Sequence, residues 1–232
     1  MSLQFIIGSS GIGKTHYACE QIIRESMENP QHLYYIIVPE QFTMQTQKNV
    51  VEMHPGKGIL NIDVLSFQRL AYRIFEETGG AREVLLDDTG KSMVLQKLVQ
   101  QHRKNLPYLG SQMNKPGYLD EVKSLISEFM QYDIREEELQ DMLGKTGEDS
   151  LLHMKMQDVG VPYQAFLQYL EGHYMTGEGV MDALKKAIPF SDKLKKSVLL
   201  LDGFTGFTPV QMNVIRELLN VCDKVLVTVT MD

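Results

Sequence analysis

The amino-acid sequence predicts an α/β fold in which a parallel sheet is begun, interrupted by an all-helical insertion, and then resumed. Three observations carry this expectation. Strand-like and helix-like segments alternate over roughly the first 80 residues; strand-like patterning then vanishes for roughly a hundred more; and alternation returns at Ser197.

The elements follow in order. Leu3 to Ile7 is a short apolar run of strand length, and His16 to Met27, with Ala18, Ile22 and Ile23 at helical spacing, reads as a helix. Leu33 to Val38 is a second strand, stopped by Pro39, and Glu40 to Met53 reads as a helix. Asn61 to Leu65 is a third strand. Ser66 is placed to cap a helix over Phe67 to Glu77, which ends at Gly79 and Gly80. Such alternation predicts parallel pairing through right-handed crossovers, with a ligand at the carboxyl ends of the strands.

From Leu85 to Lys196 no strand is expected. Leu119, Val122, Leu125, Ile126 and Phe129 share one helix face, and Met93, Val94, Leu98 and Val99 form a less regular stripe. A later helix carries Tyr163, Phe166, Leu167 and Leu170. Loops are expected at Leu106 to Gly117, Gly144 to Ser150 and Gly172 to Gly179. The aromatic residues read as packing between helices. Ser197 to Leu201 is then a strand ending at Asp202, Pro209 starts a helix running to Val221, and Lys224 to Thr230 is the last strand. With no closing helix after it, the chain reads as a fragment of something longer.

Gly8-Ser-Ser-Gly-Ile-Gly-Lys-Thr15 is a complete G-x-x-x-x-G-K-[ST] phosphate loop set between the first strand and the first helix. The glycines let backbone N–H groups wrap phosphate oxygens, and the helix N-terminus adds partial positive charge. Lys14 would reach the β- and γ-phosphates, and the Thr15 hydroxyl would hold Mg²⁺. Gly8, Gly11 and Gly13 shape the loop, whereas Ser9, Ser10 and Ile12 fill it. An acid ending a buried strand is the partner that such a loop needs to orient magnesium, which gives Asp202 its candidate role. Motor ATPases place a water-activating glutamate at the next position. This chain has Gly203, which accepts no proton.

Composition narrows the classes further. A net charge of −7 argues against gripping nucleic acid by bulk electrostatics. The two cysteines, Cys19 and Cys222, read as buried thiols in predicted helices, too far apart in sequence to suggest a metal or disulfide framework. No apolar run reaches membrane-spanning length and no basic leader precedes the first strand, so a cytoplasmic location is expected. The six histidines lack ligand spacing.

The segment Asp202-Gly-Phe-Thr-Gly-Phe-Thr-Pro-Val-Gln211 resembles the D-E-x-Q-D-x-x-x-x-Q stretch of UvrD-like superfamily 1 helicases, matching at Asp202 and Gln211 and departing at Gly203, Thr205 and Gly206. Ser66-Phe-Gln-Arg-Leu-Ala-Tyr-Arg73 resembles their T-F-H-x-L-A-x-R helix. Together with Val38-Pro-Glu-Gln-Phe-Thr43 and Leu86-Asp-Asp-Thr-Gly90, these motifs resemble the N-terminal part of the AddB family, subunits of bacterial AddAB helicase–nucleases. The resemblance implies a RecA-like P-loop lobe over 1–82 and 195–232, with 83–194 as an inserted helical lobe. It implies ATP and Mg²⁺ as ligands, AddA as the partner subunit, and DNA, single- and double-stranded, as the substrate of the full complex in double-strand-break repair.

The nuclease domain and the iron–sulfur cluster of that family lie toward its far end, and two isolated cysteines cannot ligate such a cluster. Neither the second RecA-like lobe nor its arginine is expected here, so this region is expected to bind ATP weakly with little or no hydrolysis. The family's first lobe touches single-stranded DNA, which marks Gln41, Thr43, Arg69 and Arg73 as positions for contact; ion pairing is the competing reading for the arginines. Two other functions fit a phosphate loop: a free-standing small-molecule kinase or NTPase with a helical lid, and a scaffold that has lost its ligand. Arg82, Arg103 and Arg135, scattered along the insertion, form no phosphate clamp for a kinase. Intact Lys14 and Thr15 disfavour the scaffold.

Overall fold

In the computed structural model, which describes residues 2–80, 83–112, 117–147 and 150–231, the N-terminal apolar run forms strand β1 (Ser2–Gly8) and leads through the glycine loop into helix α1 (Lys14–Glu28). Next come β2 (Leu33–Ile37), a 3₁₀ turn (Glu40–Phe42), α2 (Thr43–Met53), β3 (Ile62–Leu65) and α3 (Phe67–Thr78). The expected single helix from Glu40 is therefore two elements, because Pro39 holds an extended backbone and Glu40–Phe42 turns tightly before Thr43. Ser66 caps α3 by accepting from the Arg69 N–H, and Gly79, at φ 83°, ends it in the left-handed conformation that glycine tolerates.

The chain continues through β4 (Val84–Leu85), α4 (Asp88–His102), α5 (Leu109–Gln112), α6 (Tyr118–Gln131), α7 (Glu136–Gly144), α8 (Leu151–Leu170) and β5 (Tyr174–Met175). After α9 (Gly179–Ala187), two 3₁₀ turns, Ile188–Phe190 and Leu194–Lys196, lead to β6 (Ser197–Leu201), α10 (Pro209–Val221) and β7 (Lys224–Thr230). The strand-free expectation for 85–196 is corrected: β4 and β5 pair in parallel as a small second sheet. Two residues each are too few to leave an alternating pattern in sequence.

Packing divides the chain into two units, Met1–Ala81 with Met181–Asp232, and Arg82–Val180. Arg82 lies outside the described residues. In the first unit, five strands form one all-parallel sheet in the order β1-β7-β6-β2-β3. Ala18, Cys19, Ile22 and Ile23 of α1 and Val50 of α2 pack on one face, against Tyr34, Ile36, Ile62, Val64, Val198, Leu200 and Leu226. On the other face, Asp63 of β3 pairs with Arg73 of α3, and Ser197 of β6 donates to Cys222 at the end of α10. Cys222 itself is the C-cap of α10 and not a helical residue.

The second unit is helical around a core of Leu95, Leu98, Val99, Val122, Ile126, Phe129, Tyr163 and Phe166. The predicted α6 stripe is thus partly buried and partly packed at the core edge, whereas Met93 of the α4 stripe is 67% exposed. Gly160 lets α8 approach α7 closely, since a Cβ there would stand 3.0 Å from Leu139 Cδ2. The Leu86-to-Gly90 motif proves structural. Asp87 caps α4 by accepting from the Gly90 N–H at 2.7 Å, and Asp88 pairs with Lys123 at 2.7 Å. One residue further, buried Lys91 donates to both oxygens of Glu178 at 2.8 Å.

Candidate functional site

The carboxyl edge of the five-stranded sheet holds the glycine loop, because β1 delivers the chain there and α1 carries it back. Gly11 and Gly13 take φ values of 76° and 96°, a left-handed backbone that costs most side chains about 1–2 kcal/mol. At Gly8 a Cβ would crowd Ile12 Cγ2 at 3.0 Å, and that exposed side chain would have to shift. Gly13 is the N-cap of α1, and no side chain hydrogen-bonds across that cap, which leaves first-turn amides facing the loop. The α1 first turn carries no acid. Lys14 Nζ donates to the Ser9 carbonyl at 2.7 Å, so its ammonium lies folded over the loop.

β6 ends beside this loop and presents Asp202, which is 4% exposed. Its backbone N–H donates to the Ile37 carbonyl of β2, fixing the end of the strand. Thr15 Oγ1 donates to Asp202 Oδ1 at 3.0 Å, and Thr228 Oγ1 of β7 donates to the same oxygen at 2.6 Å. The two proposed magnesium residues are therefore brought together. Thr228 was missed in sequence, although it stands as a polar residue on the Leu226 side of an apolar strand.

A cleft of about 690 Å³ opens here. Ser10, Gly11, Gly13, Lys14 and Thr15 form its floor; Asp202, Gly203, Phe204, Thr205, Thr228 and Thr230 form one wall. His16 lines it too, and sequence reasoning overlooked the α2 side, Thr46, Asn49, Glu52 and Met53, because these residues carry no motif. Cys19 also lines the cleft; burial first, and the Asp202 charge second, push its thiol up to about 12. At neutral pH it is an inert thiol.

Gly203 follows Asp202 at φ 76°, and the loop beyond it carries Phe204 and Phe207. Phe204 lies 5.6 Å, centroid to centroid, from Phe67 at the start of α3, so the cleft wall packs on the helix that bears Arg69 and Arg73. Gln211 makes a capping box with Thr208, accepting from the Thr208 N–H at 3.0 Å, which is a helix-starting role.

The expected DNA-contact residues are placed differently. Gln41 is exposed in the 3₁₀ turn, whereas Thr43 is buried, its hydroxyl donating to the Glu40 carbonyl at 2.9 Å. Arg69 Nε pairs with Glu40 at 3.1 Å and Arg73 with Asp63 at 3.1 Å, both pairs about half exposed.

Fold and cleft define the class: an α/β protein with a parallel sheet, whose G-x-x-x-x-G-K-[ST] loop and strand-end aspartate meet in one cleft at the carboxyl edge. Residues 5–232 match the family model described as ADDB, N-terminal, and the chain belongs to that family. It is similar along its full length to proteins named as subunits, designated B, of an ATP-dependent helicase/deoxyribonuclease. The identity is 46% to that of Lachnoclostridium phytofermentans and 33% to those of Alkaliphilus metalliredigens and Geobacillus thermodenitrificans. Each match covers 100% of this chain and 20% of the relative, so the chain spans about a fifth of the length of the curated relatives it matches. The resemblance drawn from the ordered motifs holds at the level of the family.

Proposed function

We propose that this chain is the ATP-binding N-terminal region of an AddB subunit, a RecA-like P-loop lobe that binds nucleotide in the cleft and turns it over slowly or not at all. The observation that carries the proposal is the hydrogen bond between Thr15 and Asp202 at the mouth of the Lys14 loop, which joins two motifs 187 residues apart. The loop amides and Lys14 would take the phosphates, with Lys14 exchanging the Ser9 carbonyl for phosphate oxygen.

Thr15 and Asp202 are hard oxygen donors suited to magnesium. Among the described residues no three His, Cys, Asp or Glu side chains are grouped to hold a metal unaided, so a triphosphate and water would complete its shell. When bound, magnesium would neutralise phosphate charge. The chain's own residues would then orient that charge: Thr228 holds the Asp202 carboxylate, and Gly11 and Gly13 keep the backbone close. At the position after Asp202, Gly203 offers no group to take a proton from water.

The relatives are named as one subunit of a helicase and deoxyribonuclease, which supports AddA as partner and double-strand-break processing as the setting. Gln41, Arg69, Arg73 and, after rearrangement of its turn, Thr43 are the proposed DNA-facing residues, and the protein would act in the cytoplasm. The iron–sulfur cluster would belong to other parts of the full protein. Family membership favours this reading over a free-standing kinase. Its test is calorimetric titration of ATP with magnesium into the wild type and Lys14→Ala, with turnover measured in the presence and absence of single-stranded DNA. Binding by the wild type alone, with negligible turnover, supports the proposal; DNA-independent phosphoryl transfer would replace it with the kinase.

A further inference from the structure

Thr46 of α2 lines the cleft and is only 8% exposed, yet its hydroxyl makes no hydrogen bond among the described residues. Thr43, Thr176 and Thr228 are buried too, and each donates its hydroxyl hydrogen: to the Glu40 carbonyl, to Met130 Sδ and to Asp202 Oδ1 respectively. Buried polar groups are ordinarily paired, so an exception at a cleft wall marks a place for a ligand atom. One turn further along α2, Asn49 lines the same wall. Its carbonyl oxygen accepts from Gln45 Nε2 at 2.7 Å, which leaves its NH₂ group as a donor with no acceptor among the described residues.

The order of the strands says which part of a ligand would meet them. In the sheet β1-β7-β6-β2-β3, the phosphate loop leaves β1, and Asp202 closes β6, two strands along. The next strand, β2, leads through its turn into α2, which packs on the same face as α1. A magnesium ion in such a loop bridges the β- and γ-phosphates. With Thr15 and Asp202 as its protein ligands, the terminal phosphate is the end of the chain turned toward β6, and α2 stands beyond it.

We propose that the Thr46 hydroxyl and the Asn49 amide donate hydrogen bonds to the terminal phosphate of ATP, so that α2 tells a nucleoside triphosphate from a diphosphate. Both are neutral donors, suited to oxygens whose charge Lys14 and magnesium already balance. Glu52, one turn further along, has a side chain 63% exposed and 3.9 Å from Lys48, so its charge is answered on the solvent side. This inference rests on the nucleotide reading and adds to it a specificity that no motif in the sequence carries. A site that turns nucleotide over slowly would then keep its ATP and ADP states apart by affinity.

The test is calorimetric titration of ATP and of ADP, each with saturating magnesium, into the wild type, Thr46→Val, Thr46→Ser and Asn49→Asp. Thr46→Val keeps the shape and removes the hydroxyl; it should weaken ATP by about tenfold or more and ADP by less than about threefold. Thr46→Ser should stay within about threefold of the wild type for both. Asn49→Asp sets an anion against the phosphate and should lower ATP affinity by about tenfold more than ADP affinity. Equal losses for the two nucleotides would place these residues at the nucleoside or the inner phosphates, and unchanged affinities would leave them as ordinary helix residues; either overturns the inference and leaves nucleotide binding in place. Failure of the wild type to bind either nucleotide would overturn the nucleotide reading and this inference with it. Thermal unfolding without nucleotide separates the ligand role from a structural one. Thr46→Val removes an unpaired hydroxyl and should unfold no lower than the wild type, and a lower midpoint counts against the proposal.

Discussion

Thr15 and Asp202, 187 positions apart in the chain, are joined by a 3.0 Å hydrogen bond to a carboxylate oxygen that Thr228 also engages at 2.6 Å. Two strands and one helix start thus converge on one buried acid. Replacing Thr228 by valine keeps the shape and removes one charge-assisted hydrogen bond. The expected cost is about 1.5–3 kcal/mol of stability, read by denaturant unfolding. An unchanged midpoint would show that Thr228 contributes nothing to holding Asp202.

Gly203→Glu places a carboxylate where motor ATPases carry one. The backbone there is left-handed, φ 76°, so the variant should also lose about 1–2 kcal/mol of stability. Hydrolysis is expected to stay at the wild-type level, because a glutamate alone does not supply a second lobe. Phosphate release measured at saturating ATP checks this, and rapid turnover by the variant would contradict it.

The Lys91–Glu178 pair gives the helical unit a pH-dependent term. Burial would raise the Glu178 carboxyl, but hydrogen bonds and charge from Lys91, with help from Thr176, outweigh it and hold the group below its ordinary 4.5. A depressed carboxylate pKa adds stability above the unfolded value, and that contribution is lost as pH falls through the folded one. The helical unit should therefore lose stability below about pH 4.5. Lys91→Met, which leaves a buried carboxylate alone, should cost about 3–5 kcal/mol at neutral pH. Pairing it with Glu178→Leu should recover much of that loss in thermal unfolding. A double variant that loses the sum of the two single losses would show no coupling.

Arg69 and Arg73 are held in half-exposed ion pairs, each worth no more than about 1 kcal/mol to the fold. Their double alanine variant should therefore remain folded. If both also meet DNA phosphates in the full complex, the slope of log affinity for single-stranded DNA against log salt should fall by about 1.4. An unchanged slope would leave these residues as surface ion pairs.

Much of the sheet was legible because parallel strands buried on both faces are continuous apolar runs, as in Leu33–Ile37 and Ser197–Leu201, and because Ser66, Gly79 and Pro209 mark helix ends by their own chemistry. The Thr15–Asp202 meeting was legible through motifs that demand it. What escaped depends on tertiary context. β4 and β5 are too short to show a period, and the α2 wall of the cleft, Thr46, Asn49, Glu52 and Met53, comes from ordinary helical residues that only packing turns toward the loop. Gln211 shows the converse, a motif residue that the fold uses as a helix cap.

The most direct test of the central claim is the affinity of this chain for ATP with magnesium before and after Lys14→Ala. Saturable binding by the wild type, weakened at least tenfold in the variant and dependent on magnesium, is the predicted result. Equal affinity in the two proteins, or no binding to the wild type, would contradict a triphosphate seated between Lys14, Thr15 and Asp202.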